Sequence, residues 1–157
     1  DKLKKTYEQD IQEKNIRIVF DNLTLSLMME VNVEQFSKVL AGILKNSMYA
    51  LLKKSETVTF SPEIFLGLKV NKDMLEITIR DNGSGIDENI KDKIFAPFFT
   101  TKTTGEAAGV GLYLCREIVQ NHRGTIEVES KKGEYTQFLI TIPVYQPKTI
   151  TPPKEEE

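Results

Sequence analysis

Two glycine clusters separated by an aromatic segment lie between Asp81 and Leu112, and this arrangement restricts fold and chemistry more than any other feature of the chain. The first cluster, Asp81-Asn82-Gly83-Ser84-Gly85-Ile86, follows an apolar run from Leu75 to Ile79 with Arg80. A carboxylate at the end of such a strand can accept a hydrogen bond from an exocyclic amine such as that of adenine, which makes Asp81 a candidate base reader. Gly83 and Gly85 can take positive φ and let the backbone approach a flat ring where a Cβ would collide, with Ile86 beside them. The second cluster is Gly105 followed by Gly109-Val110-Gly111-Leu112. It opens a segment of helical periodicity, so free backbone N–H groups and the positive end of a helix dipole would face phosphates. Lys102 adds a mobile positive charge nearby.

The rest of the chain supplies a frame for these clusters. At 157 residues, 39% apolar, it is long enough for one globular domain with its own core. A net charge of −2, without a basic arm or stripe, gives no electrostatic footprint for nucleic acid, so none is expected as a partner. The single cysteine, Cys115, has no internal disulfide partner and no metal-ligand cluster around it, which assigns it to packing in a reducing compartment. No apolar run approaches membrane-spanning length and the polar start is no signal peptide, so the chain is expected in the cytoplasm with no membrane contact of its own.

Residues 1–15 are charged, with Leu3, Tyr7 and Ile11 on one helical face; they read either as a frayed end or as the tail of a preceding helix or linker. The domain itself is expected over 16–145. Ile16 to Phe20 reads as a strand, Asp21-Asn22 as a turn, and Leu23 to Met29 as a second strand. Val33 to Lys54 switches to helical periodicity, with Phe36, Val39, Leu40, Ile43, Ser47, Ala50 and Leu51 on one broad face to be buried on a sheet. Asn46 lies at the edge of that stripe, in line with Gly42, Tyr49 and Lys53. Glu63 to Val70 and Met74 to Arg80 flank a turn and read as a hairpin, as do Thr125 to Ser130 and Tyr135 to Val144. Asp87 is placed to cap a short helix through Lys93, and a second long helix runs from Gly109 to His122, ending near Gly124. His122 falls on the apolar stripe of that helix and reads as a buried, hydrogen-bonded structural residue. Residues 146–157, with three prolines and a terminal acidic triplet, are expected to be a disordered tail or linker. Strands that come as hairpins, grouped with three helices, predict an α+β fold: a two-layer α/β sandwich whose mixed, mostly antiparallel sheet is covered on one face.

Four sequence boxes in order carry a resemblance. They are Ile43-Leu44-Lys45-Asn46-Ser47-Met48-Tyr49-Ala50, Asp81 to Ile86, Phe95 to Lys102, and the second glycine cluster. Over roughly 16–143 the chain resembles the catalytic and ATP-binding domain of sensor histidine kinases, within the gyrase, Hsp90, histidine kinase and MutL superfamily. The resemblance implies the Bergerat fold, ATP and Mg²⁺ as cofactors, and transfer of the γ-phosphoryl group to a histidine on a separate dimerisation bundle. That bundle and a response regulator receiver domain are the implied partners. The resemblance assigns Mg²⁺ to the Asn46 carboxamide oxygen, adenine to Asp81 with Gly83, Gly85, Ile86 and Thr136, and the phosphates to Lys102, Gly105, Gly109, Val110, Gly111 and Leu112.

The chain departs from the family pattern at several positions. Gly42 stands where histidine kinases commonly carry a second asparagine and the ATP-hydrolysing relatives a catalytic glutamate, so free ATP hydrolysis is disfavoured. Tyr49 stands at a frequent lysine position, with Lys53 one turn on, and Ala107 and Ala108 replace a glycine and a threonine of the second cluster. No residue of the chain is expected to be a catalytic nucleophile or base. A serine kinase of the anti-sigma type shares the boxes, and a non-catalytic nucleotide-binding or docking module is the alternative from another class.

Overall fold

A computed structural model describes residues 8–9, 11–21, 31–99 and 110–144. Among these residues five strands form one sheet: β1 (Arg17–Phe20), β2 (Glu63–Asn71), β3 (Met74–Asp81), β4 (Thr125–Lys131) and β5 (Tyr135–Pro143). Their order is β1-β2-β3-β5-β4, with β1 parallel to β2 and every other pair antiparallel. Both expected hairpins form. In the first, Lys72 takes the left-handed conformation, φ 56°, and in the second Gly133 does so at 80°. The strand expected at Leu23 to Met29 lies outside the described residues.

Helix α1 (Val33–Ser55) begins at Asn32, whose side chain accepts a hydrogen bond from the Gln35 amide at 3.0 Å. Glu34 in its first turn and Lys53 and Lys54 in its last match the helix dipole. The buried face is Val39, Ile43, Ser47, Met48 and Leu51, so Met48 joins the expected stripe while Phe36, Leu40 and Ala50 sit half-buried at its margins. Helix α2 (Glu88–Lys91) is capped as expected by Asp87, which accepts from the Asn89 amide. It is shorter than expected: beyond Lys91 the chain continues in successive three-residue turns, Lys93 N–H to Ile90 O and Ala96 N–H to Lys93 O.

Helix α3 (Val110–Asn121) packs on α1 and on β4. Strands β3 and β5 alternate strictly, and their inward residues Leu75, Ile77, Ile79, Phe138, Ile140 and Ile142 meet Val39, Ile43, Leu51, Ile118 and Val119 in one core between helices and sheet. The α+β sandwich read from the pattern is thus the observed architecture.

His122 departs from expectation in part. It lies just past the end of α3 and is half-buried, not enclosed by the apolar stripe. Its Nδ1 lies 2.7 Å from the Ile118 carbonyl, and its Nε2 accepts the Asn32 amide at 3.0 Å. With Nε2 accepting, Nδ1 is left to donate to the Ile118 carbonyl, and the ring ties the end of α3 to the start of α1.

Candidate nucleotide site

The end of β3 and the loop after it sit between α1 and the β4–β5 hairpin. The Ser84 amide donates to Ala50 O of α1 at 3.1 Å, and the Gly133 amide of the hairpin turn donates to Ser84 O at 2.6 Å. The Ile86 amide donates to Ser130 Oγ at 2.8 Å. Asn82 anchors the other side, accepting from the Glu63 amide and donating to Ser61 O, both at 2.8 Å. The loop is therefore held on both sides, by its backbone at Ser84 and Ile86 and by the Asn82 side chain.

This bracing gives the two glycines of the loop a packing constraint. A Cβ on Gly83 would stand 2.7 Å from the Ala50 backbone, and one on Gly85, at φ 66°, would overlap the Lys131 carbonyl. Protein atoms keep both positions small, and Gly85 takes the positive φ expected of it and lines the cleft described next. Gly111 is the reverse case: among the described residues a Cβ there would meet nothing within 4 Å, and the residue lines a cleft.

That cleft, about 410 Å³, opens between α1, the β3 end, α2 and the start of α3. Of the expected site residues it brings together Asn46, Asp81, Gly85, Ile86, Gly111, Leu112 and Thr136. Gly83 sits behind it, packed on α1. Val110 opens α3, while Lys102, Gly105 and Gly109 lie outside the described residues.

Asp81 is 2% exposed, and burial raises its carboxyl from the usual 3.8 to about 6. The Gly83 amide, donating to Oδ1 at 2.9 Å, the Ser47 hydroxyl beside it and the charge of Lys54 pull the other way, with less effect. Ser47, 1% exposed, completes no hydrogen bond of ordinary geometry among the described residues. A buried hydroxyl beside a buried carboxylate is a polar pair that a ligand or water can complete. On β5, Thr136 is paired directly opposite Asp81, and its hydroxyl lies 3.0 Å from Ser130 Oγ.

Asn46 donates from Nδ2 to Gly42 O at 3.0 Å, so ligation of a cation falls to its carboxamide oxygen. Mg²⁺ commonly binds through one or two protein oxygens together with phosphates and water, and this donor fits that pattern. Among the described residues no group of three His, Cys, Asp or Glu could hold a metal by itself.

Cations line the cleft at Lys45, Lys53 and Lys132. The Lys53 ammonium lies 5.9 Å from the Tyr49 ring centre, and Lys132 pairs with Asp87 at 2.7 Å, holding that carboxyl below its usual pKa. In the aromatic segment Phe95 is buried edge-on against Phe138, Phe99 lines the cleft, and Phe98 is 81% exposed with φ 59°. The segment is thus anchored at Phe95. The Thr100 to Lys102 end of the segment lies outside the described residues.

Sequence reasoning missed Ser47, Ser130, Lys45 and Lys132 as neighbours of this cleft. A serine within an otherwise apolar helical stripe is a signal for Ser47, and a serine at an inward position of β4 is one for Ser130. Nothing local in sequence brings Lys132 beside Asp87.

Comparison with known proteins identifies the family and agrees with the fold. The family described as histidine kinase-, DNA gyrase B- and HSP90-like ATPase matches residues 32–146. The sensor histidine kinase AtsR of Burkholderia thailandensis is 33% identical over 149 residues, covering 89% of this chain and 24% of AtsR. The sensor histidine kinase ZraS of Salmonella typhi is 29% identical over 136 residues, covering 87% of this chain and 28% of ZraS. The chain therefore spans about a quarter of the length of these curated relatives. The catalytic domain of the histidine kinase ThkA, solved free of nucleotide, superposes with a TM-score of 0.72 at 29% identity, covering 90% of this chain and 88% of that one. The chain belongs to the histidine kinase-, DNA gyrase B- and HSP90-like ATPase family and is the catalytic ATP-binding domain of a two-component sensor histidine kinase.

Proposed function

We propose that the cleft holds Mg-ATP with the adenine at Asp81 and the phosphates toward the first turn of α3. The γ-phosphoryl then passes to a histidine on the dimerisation bundle of the same kinase. The observation that carries this reading is the buried acceptor Asp81 in one cleft with Gly111, where a Cβ would meet none of the described residues. A carboxylate withdrawn from water at a cost is a functional arrangement more than a stabilising one. Gly111 and Leu112 bring the amide end of α3 to the same cleft.

Asn46 would hold Mg²⁺ through its carboxamide oxygen; the ion supplies charge neutralisation on the phosphate oxygens. Lys45 and Lys53 line the cleft as further positive charge. The protein contributes position and charge stabilisation, while the acceptor imidazole nitrogen forms the P–N bond as the P–O bond to ADP breaks. Gly42 offers no side chain to polarise a water, which directs the phosphoryl group to the bundle instead of to hydrolysis.

Residues 16–145 form the catalytic unit in this reading, with 1–15 and 146–157 as connections. Lys102, Gly105, Gly109 and Val110 attend the phosphates, and a response regulator receiver domain takes the phosphoryl group onward. The domain works in the cytoplasm; among the described residues no helix is long and apolar enough to cross a membrane.

Incubation with γ-labelled ATP and the kinase's own bundle domain in trans tests the proposal. The expected label is acid-labile, base-stable phosphohistidine on the bundle. Acid-stable phosphoserine on a partner would transfer the reading to the serine kinase class, and no nucleotide binding at all would leave only a docking module.

A further inference from the structure

Ser130 lies behind the cleft wall, outside the cleft lining, and its hydroxyl stands at the centre of three short contacts. It accepts the Ile86 amide at 2.8 Å, donates to the Tyr135 carbonyl at 2.7 Å, and lies 3.0 Å from Thr136 Oγ1. A serine hydroxyl has one hydrogen to give and two lone pairs to receive with. The Ile86 amide takes one lone pair, and the hydrogen goes to the closer Tyr135 carbonyl. Only the second lone pair is left for Thr136, so Thr136 must donate to Ser130. Its own hydrogen is then committed behind the wall. Thr136 Oγ1 is left with lone pairs alone for the cleft that it lines.

The register places Thr136 directly opposite Asp81, which when ionised is also an acceptor without a hydrogen to give. We infer that Ser130 is a specificity-determining positioning residue: by fixing the Thr136 hydroxyl as an acceptor, it makes this end of the cleft select a 6-amino purine against a 6-oxo purine. An exocyclic amine brings two N–H groups to two acceptors. A 6-oxo group brings a third acceptor and leaves buried lone pairs facing one another, the kind of mismatch by which hydrogen-bonding sites discriminate most strongly. The inference rests on the adenine-nucleotide reading of this cleft and adds a residue that never touches the base.

The test compares the affinity of the 157-residue chain for adenosine diphosphate and inosine diphosphate, which differ at the purine 6-position by amine against oxo and at N1 by a bare nitrogen against an N–H; the second difference is the same for every variant and cancels when their ratios are compared. In Ser130→Ala the Thr136 hydrogen loses its acceptor and can turn into the cleft toward a 6-oxo group. The ratio of the two affinities is expected to fall about tenfold, an amount typical of one hydrogen bond gained or lost. Ser130→Thr, which keeps the hydroxyl on a β-branched side chain suited to a strand, should restore the ratio. Loss of the Ile86 hydrogen bond alone would loosen the loop for both nucleotides together. Parallel losses with an unchanged ratio would therefore overturn the inference and leave the nucleotide reading standing. If Ser130→Ala does not fold, Ser130→Cys, with nearly the same volume and a weak donor and acceptor, must lower the ratio in the same direction, and an unchanged ratio there overturns the inference equally. A wild-type chain that binds neither nucleotide overturns the reading beneath it and this inference with it.

Discussion

Gly42 of α1 and Cys115 of α3 meet so closely that a Cβ at position 42 would stand 2.8 Å from the Cys115 Sγ. The thiol is buried, its pKa is pushed up to about 11 by that burial, and it lies 3.7 Å from the Val39 carbonyl to which it donates. Position 42 is therefore small because of helix packing, and any side chain there would compete with the thiol for the same space.

Gly42→Ala is expected to destabilise the domain despite the better helix propensity of alanine. Overpacking typically costs about 1 to 3 kcal/mol, against roughly 1 kcal/mol gained from propensity. In a Cys115→Ala background the clash disappears and the same substitution should become neutral or stabilising. Denaturant midpoints of the four proteins in the cycle check this; strictly additive effects would show that the two residues do not compete for the same volume.

Asp81→Asn should oppose stability to function. Burial raises the Asp81 carboxyl to about 6, so the folded domain holds the proton more tightly than the unfolded chain does. The associated stability is fully present below pH 3.8 and is lost as the pH rises through about 6. Relative to wild type the Asn variant should thus gain stability between pH 4 and 7.5, by up to about 3 kcal/mol. Its affinity for adenosine diphosphate should fall by about 1 to 3 kcal/mol, because the amide can present a donor to the exocyclic amine. Wild-type affinity should weaken as pH drops from about 7.5 to 5, while that of the variant stays flat. Calorimetry across this range, with denaturation curves at both ends, measures both signs.

For Asn46→Ala the expected loss is selective. The Nδ2 bond to Gly42 O fixes the side chain, and the carboxamide oxygen is the atom offered to a hard cation. Binding of a magnesium-bound ATP analogue should weaken more than metal-free binding of adenosine diphosphate. Equal losses for both, or none, would move Asn46 from metal contact to a structural helix-edge role.

What the sequence revealed and what it hid divide along a physical line. The hairpins, the α1 stripe and the capping by Asp87 rest on local periodicity and turn chemistry, and the described elements follow them closely. Asp81 was legible as a candidate because it ends an apolar strand, and it is buried at the cleft. The reasons for Gly83 and Gly85 were not, because a glycine records that space is taken without recording by what; here it is Ala50 and Lys131, distant in sequence. Ser130 and Lys132 were hidden for the same reason: only the return of the β4–β5 hairpin onto the loop after β3 gives them neighbours.

The isolated chain should bind Mg-ATP yet neither label itself nor hydrolyse it quickly. Its only histidine, His122, has both ring nitrogens engaged, Nδ1 with Ile118 O and Nε2 with the Asn32 amide. A nucleophile must reach within about 3 to 3.5 Å of the γ-phosphorus in line with the leaving oxygen. His122 would first have to break both bonds and detach the end of α3 from the start of α1, and it does not line the cleft. Gly42 meanwhile leaves the space next to Asn46 without a general base. Incubating the chain alone with γ-labelled ATP, followed by acid and base treatment and release of free phosphate, decides both points. Label on His122 would mean that the α1–α3 tie opens in solution and that the chain carries its own acceptor; rapid phosphate release would mean that a group other than residue 42 activates water.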